Sequence, residues 1–181
     1  MKKLLSILVF ASTVASATTN QLDFNLGRGT PLSYVQAGGS SDHLGSRGTE
    51  WSADFLHQNS ARTYVGIGGG QFRSNDNVSE TFVPNSSATL SSRTSTILLL
   101  TRADLSSRSK MVIYALAGIG WAKNSLQITA MPGQPAILKD SKDTLAYATG
   151  LGADYPISDR LFFGVEARYQ SSMKRTFDLT P

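Results

Sequence analysis

Two histidines and no cysteine are the only side chains of their kind in these 181 residues, so material for nucleophilic or metal chemistry is thin. A hydrolytic site needs an imidazole beside a hydroxyl and an acid, so that the ring can take the hydroxyl proton. His57 with Ser60, and His43 with Ser40 and Asp42, are the starting points. The first pair stands at a tight turn and the second in a loop without a rigid neighbour. Neither forms a recognisable motif, and the sequence predicts no enzyme and no catalytic residue. His43 and His57 also lack paired acidic ligands at a diagnostic spacing, which predicts no metal. Gly66-Ile67-Gly68-Gly69-Gly70 could cradle a nucleotide phosphate only if a helix carrying Lys and Ser/Thr opened behind it. The glycines continue instead in strand alternation, so no cofactor is expected. Asp76 and Glu80 read as solvated loop residues.

A different chemistry is written in "GLGADYPISDRLFFGVEARYQ", residues 150–170, where Glu166 and Arg168 alternate with Val165, Ala167 and Tyr169. Asp54, Arg102, Asp104 and Asp154 occupy comparable places in other apolar stretches. If these six side chains share one enclosed face, they make an internal network of salt bridges and hydrogen bonds. An unpaired buried charge costs several kcal/mol, so each must find a partner. Which pairs with which cannot be read from spacing.

The elements that must position them are strands. Helical periodicity is nearly absent, while period-two alternation recurs with glycine, aromatic and β-branched residues. Strands are expected at about 22–38, bent or interrupted near Gly29-Thr30-Pro31, and at 49–57, 62–73, 93–105, 110–122, 143–155 and 160–170, with an eighth beginning near Arg175. Their connections alternate in length. Residues 57–61, 106–109 and 156–159 are tight, whereas 39–48, 74–92 and 123–142 are long and rich in Ser, Asn, Gly, Pro and charge. In an up-and-down meander this rhythm trims one rim to turns and loads the other with loops, the asymmetry of bacterial outer-membrane barrels.

The two faces of each strand say the same. Leu161, Phe163, Val165, Ala167 and Tyr169 oppose Phe162, Gly164, Glu166, Arg168 and Gln170, and Leu145, Tyr147, Leu151 and Tyr155 oppose Ala146, Ala148, Gly150, Gly152 and Asp154. A soluble sheet would give water a face of Lys, Glu, Thr and Ser. Here the second face is small or glycine-rich, as the interior of an eight-strand barrel requires, since that interior is only just wide enough for side chains. The apolar face then meets lipid, and closure leaves no backbone group unpaired in hydrocarbon. In strand 93–105, Leu98 and Leu100 share parity with Arg102 and Asp104, which calls for a bulge or a mixed interior. Trp51, Trp121 and Tyr169 fall near the loop-bearing rim and Tyr155 and Phe163 near the turn-bearing rim, the positions of aromatic girdles.

At the N-terminus, Lys2 and Lys3 precede an apolar run from Leu4 to Val14 and then Ala15-Ser16-Ala17. This is the order of a secretory signal peptide, so residues 1–17 are expected to be removed, leaving 18–181 as one barrel domain. Losing both lysines reduces 17 basic residues to 15 against 13 acidic ones, a balance of +2, and the arginines are scattered. No nucleic-acid partner is indicated.

"YALAGIGWAK" (114–123), residues 150–170 and "TYVGIGGGQF" (63–72) resemble strand signatures of the small eight-stranded outer-membrane barrels, the group of the OmpA transmembrane domain and of OmpX-like and opacity-type surface proteins. The resemblance implies a Gram-negative outer membrane, partners in outer-membrane lipid, lipopolysaccharide and the outer-membrane assembly machinery, and loops that meet a host or environmental ligand. Such barrels end on a strand with a terminal aromatic residue. This sequence ends in "KRTFDLTP", so either the closing strand is short or the sequence incomplete, or the 22–38 segment breaks at Pro31 into two strands. The expected function is therefore an all-β, up-and-down antiparallel transmembrane barrel of about eight strands, a surface protein of structural or adhesion type displaying loops 39–48, 74–92 and 123–142. The rivals are a narrow, porin-like pore for small solutes and a soluble periplasmic barrel that binds an apolar ligand.

Overall fold

The computed structural model describes residues 8–17, 20–29, 33–37, 40–44, 48–78, 88–106, 111–129 and 138–173. Ten strands follow one another: β1 (Leu8–Ala17), β2 (Asn20–Gly29), β3 (Ser33–Ala37), β4 (Ser40–Leu44), β5 (Gly48–Ser60), β6 (Thr63–Val78), β7 (Ala88–Asp104), β8 (Val112–Thr129), β9 (Leu138–Pro156) and β10 (Leu161–Ser172). Eight of them close a barrel in the order β1-β10-β9-β8-β7-β6-β5-β2, every neighbour antiparallel. The remaining two, β3 and β4, pair only with each other.

The chain does break near Pro31, which has no N–H to give a ladder. The piece beyond it joins the small β3–β4 sheet and not the barrel. The position between β10 and β2 is held by β1, which lies within the stretch read above as a signal peptide. The strand expected from Arg175 onward lies outside the described residues.

Turns and loops divide as the chain alternates. β5 and β6 are joined through Ala61 and Arg62, with Asp104 N–H donating to Arg62 O at 2.8 Å, and β9 and β10 are joined through 157–160, with Ile157 N–H donating to Leu161 O at 2.8 Å. The opposite rim differs from expectation, because much of 74–92 and 123–142 is ladder. The β6–β7 pairing runs to Val78 opposite Ala88, and the β8–β9 pairing to Ile128 opposite Leu138. Likewise 40–44 of the expected 39–48 loop is β4. Polarity misled the reading, because the Ser, Thr, Asn and Asp residues at 74–77, 89–95 and 123–129 are paired in ladders although their types also suit turns.

Side chains alternate across the wall. On β10, Gly164, Glu166 and Arg168 are buried while Phe163, Val165 and Ala167 are exposed. Large apolar residues stand outward on β2 and on β5 to β10: Leu26, Ile97 and Leu99 are 70%, 70% and 63% exposed. A contiguous apolar face across seven neighbouring strands is not what a water-soluble monomer carries, and it fits a non-aqueous surrounding.

Inside, bulky residues sit between glycines. Leu98 has Gly68 and Gly120 opposite it on its two neighbouring strands, and Leu100 has Gly66 and Gly118. Leu98 and Leu100 are therefore buried at 2% and 1%, and β7 keeps continuous register from Thr89 to Ala103: a mixed interior, with no bulge. Tyr114 stands opposite Gly152 in the same way, and a Cβ on Gly152 would run into the Tyr114 ring. At Gly68, Gly118 and Gly152 a neighbour's side chain already fills the space a Cβ would take, whereas at Gly66 and Gly120 a Cβ would run into the backbone of the adjoining strand.

Candidate functional site

Tyr114 joins two ion clusters inside the barrel. On one side its ring lies beneath Arg102, whose guanidinium carbon is 3.7 Å from the ring centroid. On the other its hydroxyl donates to Glu166 Oε2 at 2.9 Å. Both residues are buried because β8 and β10 turn alternate side chains inward at the same depth, with Gly152 of β9 between them.

The cluster nearer the turn rim is centred on Arg102. Its Nη2 is 2.8 Å from Asp154 Oδ2, its Nε donates to Asp104 Oδ1 at 3.0 Å, and its Nη1 is 3.8 Å from Asp23 Oδ2. Gln21 Nε2 donates to Asp23 Oδ1 at 2.9 Å. Deeper along the axis, Arg168 donates from Nη2 to Asp54 Oδ2 and from Nε to Glu166 Oε1, both at 2.5 Å. Arg102, Arg168, Asp54, Asp154 and Glu166 are each at most 3% exposed. Hydrogen bonds between a guanidinium and carboxylates are the strong, charge-assisted kind, and several carboxylate neighbours offset the guanidinium's own loss of water.

All six expected network residues, Asp54, Arg102, Asp104, Asp154, Glu166 and Arg168, stand on the inner face and fall into these two clusters. Sequence reasoning did not single out Asp23, Gln21, Asn25, Glu50 or Tyr114. The signal for Asp23 and Asn25 was present, since they alternate with Leu22, Phe24 and Leu26. Glu50 is 4% exposed and shares the inner face of β5 with Asp54.

Of the girdle residues, Trp51, Trp121, Tyr155 and Phe163 are 51%, 66%, 52% and 49% exposed on the outer face. Phe163 is directly opposite Tyr155 at the turn rim. Tyr169 packs against Tyr147 with ring centroids 6.1 Å apart.

The hydrolase candidates do not assemble. His57 is exposed near the turn rim with Nδ1 2.8 Å from Asn20 Oδ1, so its polar neighbour is an amide and not Ser60. The side chains of His43, Ser40 and Asp42 lie outside the described residues. Gly66 to Gly70 run within β6. Among the described residues no group of three His, Cys, Asp or Glu is placed to hold a metal ion.

At the turn rim the lumen keeps a recess of about 70 Å³ among Gln21, Tyr64, Arg102, Asp104, Asp154 and Phe162. A water needs roughly 10–15 Å³ by this measure, so the recess suits a few waters. Beyond it stand Tyr114, Leu98, Leu100 and Leu116, a packed core inside the barrel.

A family model described as the outer membrane protein beta-barrel domain matches residues 4–179. Among solved structures the chain is similar to the attachment invasion locus protein Ail of Yersinia pestis in complex with the heparin analogue sucrose octasulfate, at 10% identity and a TM-score of 0.38 over 94% of this chain and 99% of that one. A second Ail structure aligns at 11% identity and a TM-score of 0.32 over the same shares. No curated protein matches in sequence. Those structural overlaps are weak, and the family rests on the model match.

Proposed function

The chain belongs to the outer membrane protein beta-barrel domain family, and from that premise we propose that it is a non-enzymatic surface protein whose plugged barrel holds projecting hairpins outside the cell. Transmembrane strands need about 9–11 residues, whereas β6, β7, β8 and β9 have 16, 17, 18 and 19. On β8 and β9 the outward apolar series stops at Trp121 and Leu145, where Lys123 and Asp143 take over. The six or seven residues beyond, at about 3.3 Å each, carry the hairpin roughly 20 Å further. Hairpins of this length bring 79–87 and 130–137 to a host or environmental ligand, and the outward apolar face contacts outer-membrane lipid and lipopolysaccharide.

The observation that carries this reading is the filled lumen. A pore needs a continuous aqueous path, and the Arg102–Tyr114–Glu166–Arg168 series crosses the barrel together with Leu98 and Leu100. Purified protein in planar bilayers is expected to show no unitary conductance steps. Stable, reproducible steps would replace the display reading with the pore.

Export is assigned to residues 1–17, removed near Thr18, with insertion by the outer-membrane assembly machinery. Removal would take β1 out of the wall and leave one edge of β2 and one edge of β10 unpaired, which hydrocarbon does not tolerate. Another strand must then fill that gap, and the stretch beginning near Arg175 is the candidate. The intact mass of the protein from isolated outer membranes tests this. A mass starting at Thr18 is expected, and one that includes 8–17 would make β1 a permanent wall strand.

A further inference from the structure

At the turn-bearing mouth of the lumen, three strand ends bring two carboxylates to one depth. β7 ends on Asp104, β9 carries Asp154 just before its own end at Pro156, and β8 between them sets Tyr114 opposite Asp104 and Val112 opposite Asp154. Arg102 holds both acids by one edge of its fork, donating from Nε to Asp104 Oδ1 at 3.0 Å and from Nη2 to Asp154 Oδ2 at 2.8 Å. That edge ordinarily binds the two oxygens of a single carboxylate. Here two carboxylates take one bond each, so they stand side by side and each turns only one oxygen to the fork. The other oxygen of Asp154, Oδ1, is buried with no hydrogen-bond partner.

Charge points the same way. Asp23 Oδ2 lies 3.8 Å from Nη1, on the other edge of the same guanidinium, so three carboxylates share one positive charge and leave a surplus of two negative ones. Buried charge left uncompensated costs several kcal/mol. Compensation can enter through the recess of about 70 Å³ beside Asp104 and Asp154, where the Asp104 side chain is 14% exposed. The remaining polar lining offers oxygen. Gln21 has given its amide nitrogen to Asp23, which leaves the carbonyl oxygen, and Tyr64 adds a hydroxyl.

We propose that Asp104 and Asp154, with Gln21 and Tyr64 beside them, seat one divalent cation of the calcium class, with part of its water shell, in this recess. Oxygen ligands and a surplus of two charges match a hard divalent ion. Calcium takes about six to eight oxygens in flexible geometry, water among them, so two carboxylates with neutral oxygens are enough and no third acidic ligand is required. Magnesium demands a nearly octahedral set and gives up water reluctantly, which suits so uneven a lining less well. Metals that prefer thiolate or imidazole find neither in the lining. The seat is a property of the closed barrel and is independent of which rim faces the cell exterior.

The test uses the full chain, folded in calcium-free micelles, checked by heat-modifiable gel migration and titrated with terbium, which occupies calcium sites and luminesces when a nearby tyrosine is excited. Tyr64 lines the recess and serves as that tyrosine. Wild type is expected to saturate at one terbium per chain, to lose the signal to calcium and to keep it in sodium of equal ionic strength. D154N and D104N should each weaken binding about tenfold, since affinity follows the charge of the ligand set. D140N, near the opposite rim, should leave it unchanged. If D154N does not reach the heat-modifiable form, D104N, whose side chain is partly exposed, decides the matter. Absence of saturable luminescence in wild type, or unchanged binding by D104N, overturns the seat. Equal displacement by sodium overturns the divalent assignment, and stronger displacement by magnesium than by calcium overturns the calcium class. Absence of heat-modifiable migration in wild type would instead strike the closed barrel beneath it.

Discussion

Arginines inside the barrel and arginines outside it live under opposite conditions. Arg102 and Arg168 are each ringed by carboxylates and at most 3% exposed. Arg73 and Arg93 face each other across a ladder with no carboxylate between them. The side chain is the same, and the difference is one step of the two-residue period plus the depth along the strand. Enclosed arginines are bound to their acids by the cost of leaving either charge unpaired. Outer arginines keep their water and need no carboxylate to hold them.

Removing an enclosed charge should have the largest effect. Arg168→Met leaves Asp54 and Glu166 buried without their partner, and we expect a loss of about 3–5 kcal/mol, read as a lower urea midpoint for unfolding from lipid vesicles. A loss below about 1 kcal/mol would mean that water reaches the lumen and the contrast between the two faces is weak. Placing a charge on the lipid side of the same strand comes next. Val165→Arg should cost about 2–4 kcal/mol near mid-bilayer, and the same measurement would refute the sidedness if it were silent. Tyr114→Phe sharpens the picture of the lumen, since it keeps the ring under Arg102 and removes only the donor to Glu166. About 1–3 kcal/mol is expected for leaving Glu166 Oε2 without its donor, while Oε1 keeps Arg168. At the small end, Arg93→Gln should change unfolding by no more than about 0.5 kcal/mol.

Much of the architecture is local and was therefore legible. Period-two alternation in 143–155 and 160–170 places Asp154, Glu166 and Arg168 on one face and Tyr155, Phe163 and Val165 on the other, whatever the neighbouring strands do. Tight connections at 157–160 follow from turn residues. The hairpin extensions were harder, because a polar strand and a polar loop look alike until a partner ladder is present, as at Thr89–Ser95 and Lys123–Thr129. Likewise β3 follows β2 directly in sequence, yet it leaves the barrel for β4.

Within the network, membership was legible and pairing was not. Arg168 binds Asp54 114 residues away, across a lumen and from a strand that is not its neighbour. That contact exists only once the sheet has closed with a particular stagger between strands. Tyr114 has the same history: alternation puts it on the inner face, but only closure brings its hydroxyl to Glu166 and its ring under Arg102.

By itself, then, the order of residues determined which side chains face in and which face out, because pleating turns successive residues to opposite sides of any strand. It also determined where the wall ends, through glycine, proline and the switch from apolar to charged outward positions. Tertiary structure alone decided that Leu98 and Leu100 lie inside against the glycines of β6 and β8, which carboxylates each arginine holds, and that two outer arginines stand face to face. Those outcomes depend on register between strands far apart in sequence, and register is a property of the closed sheet as a whole.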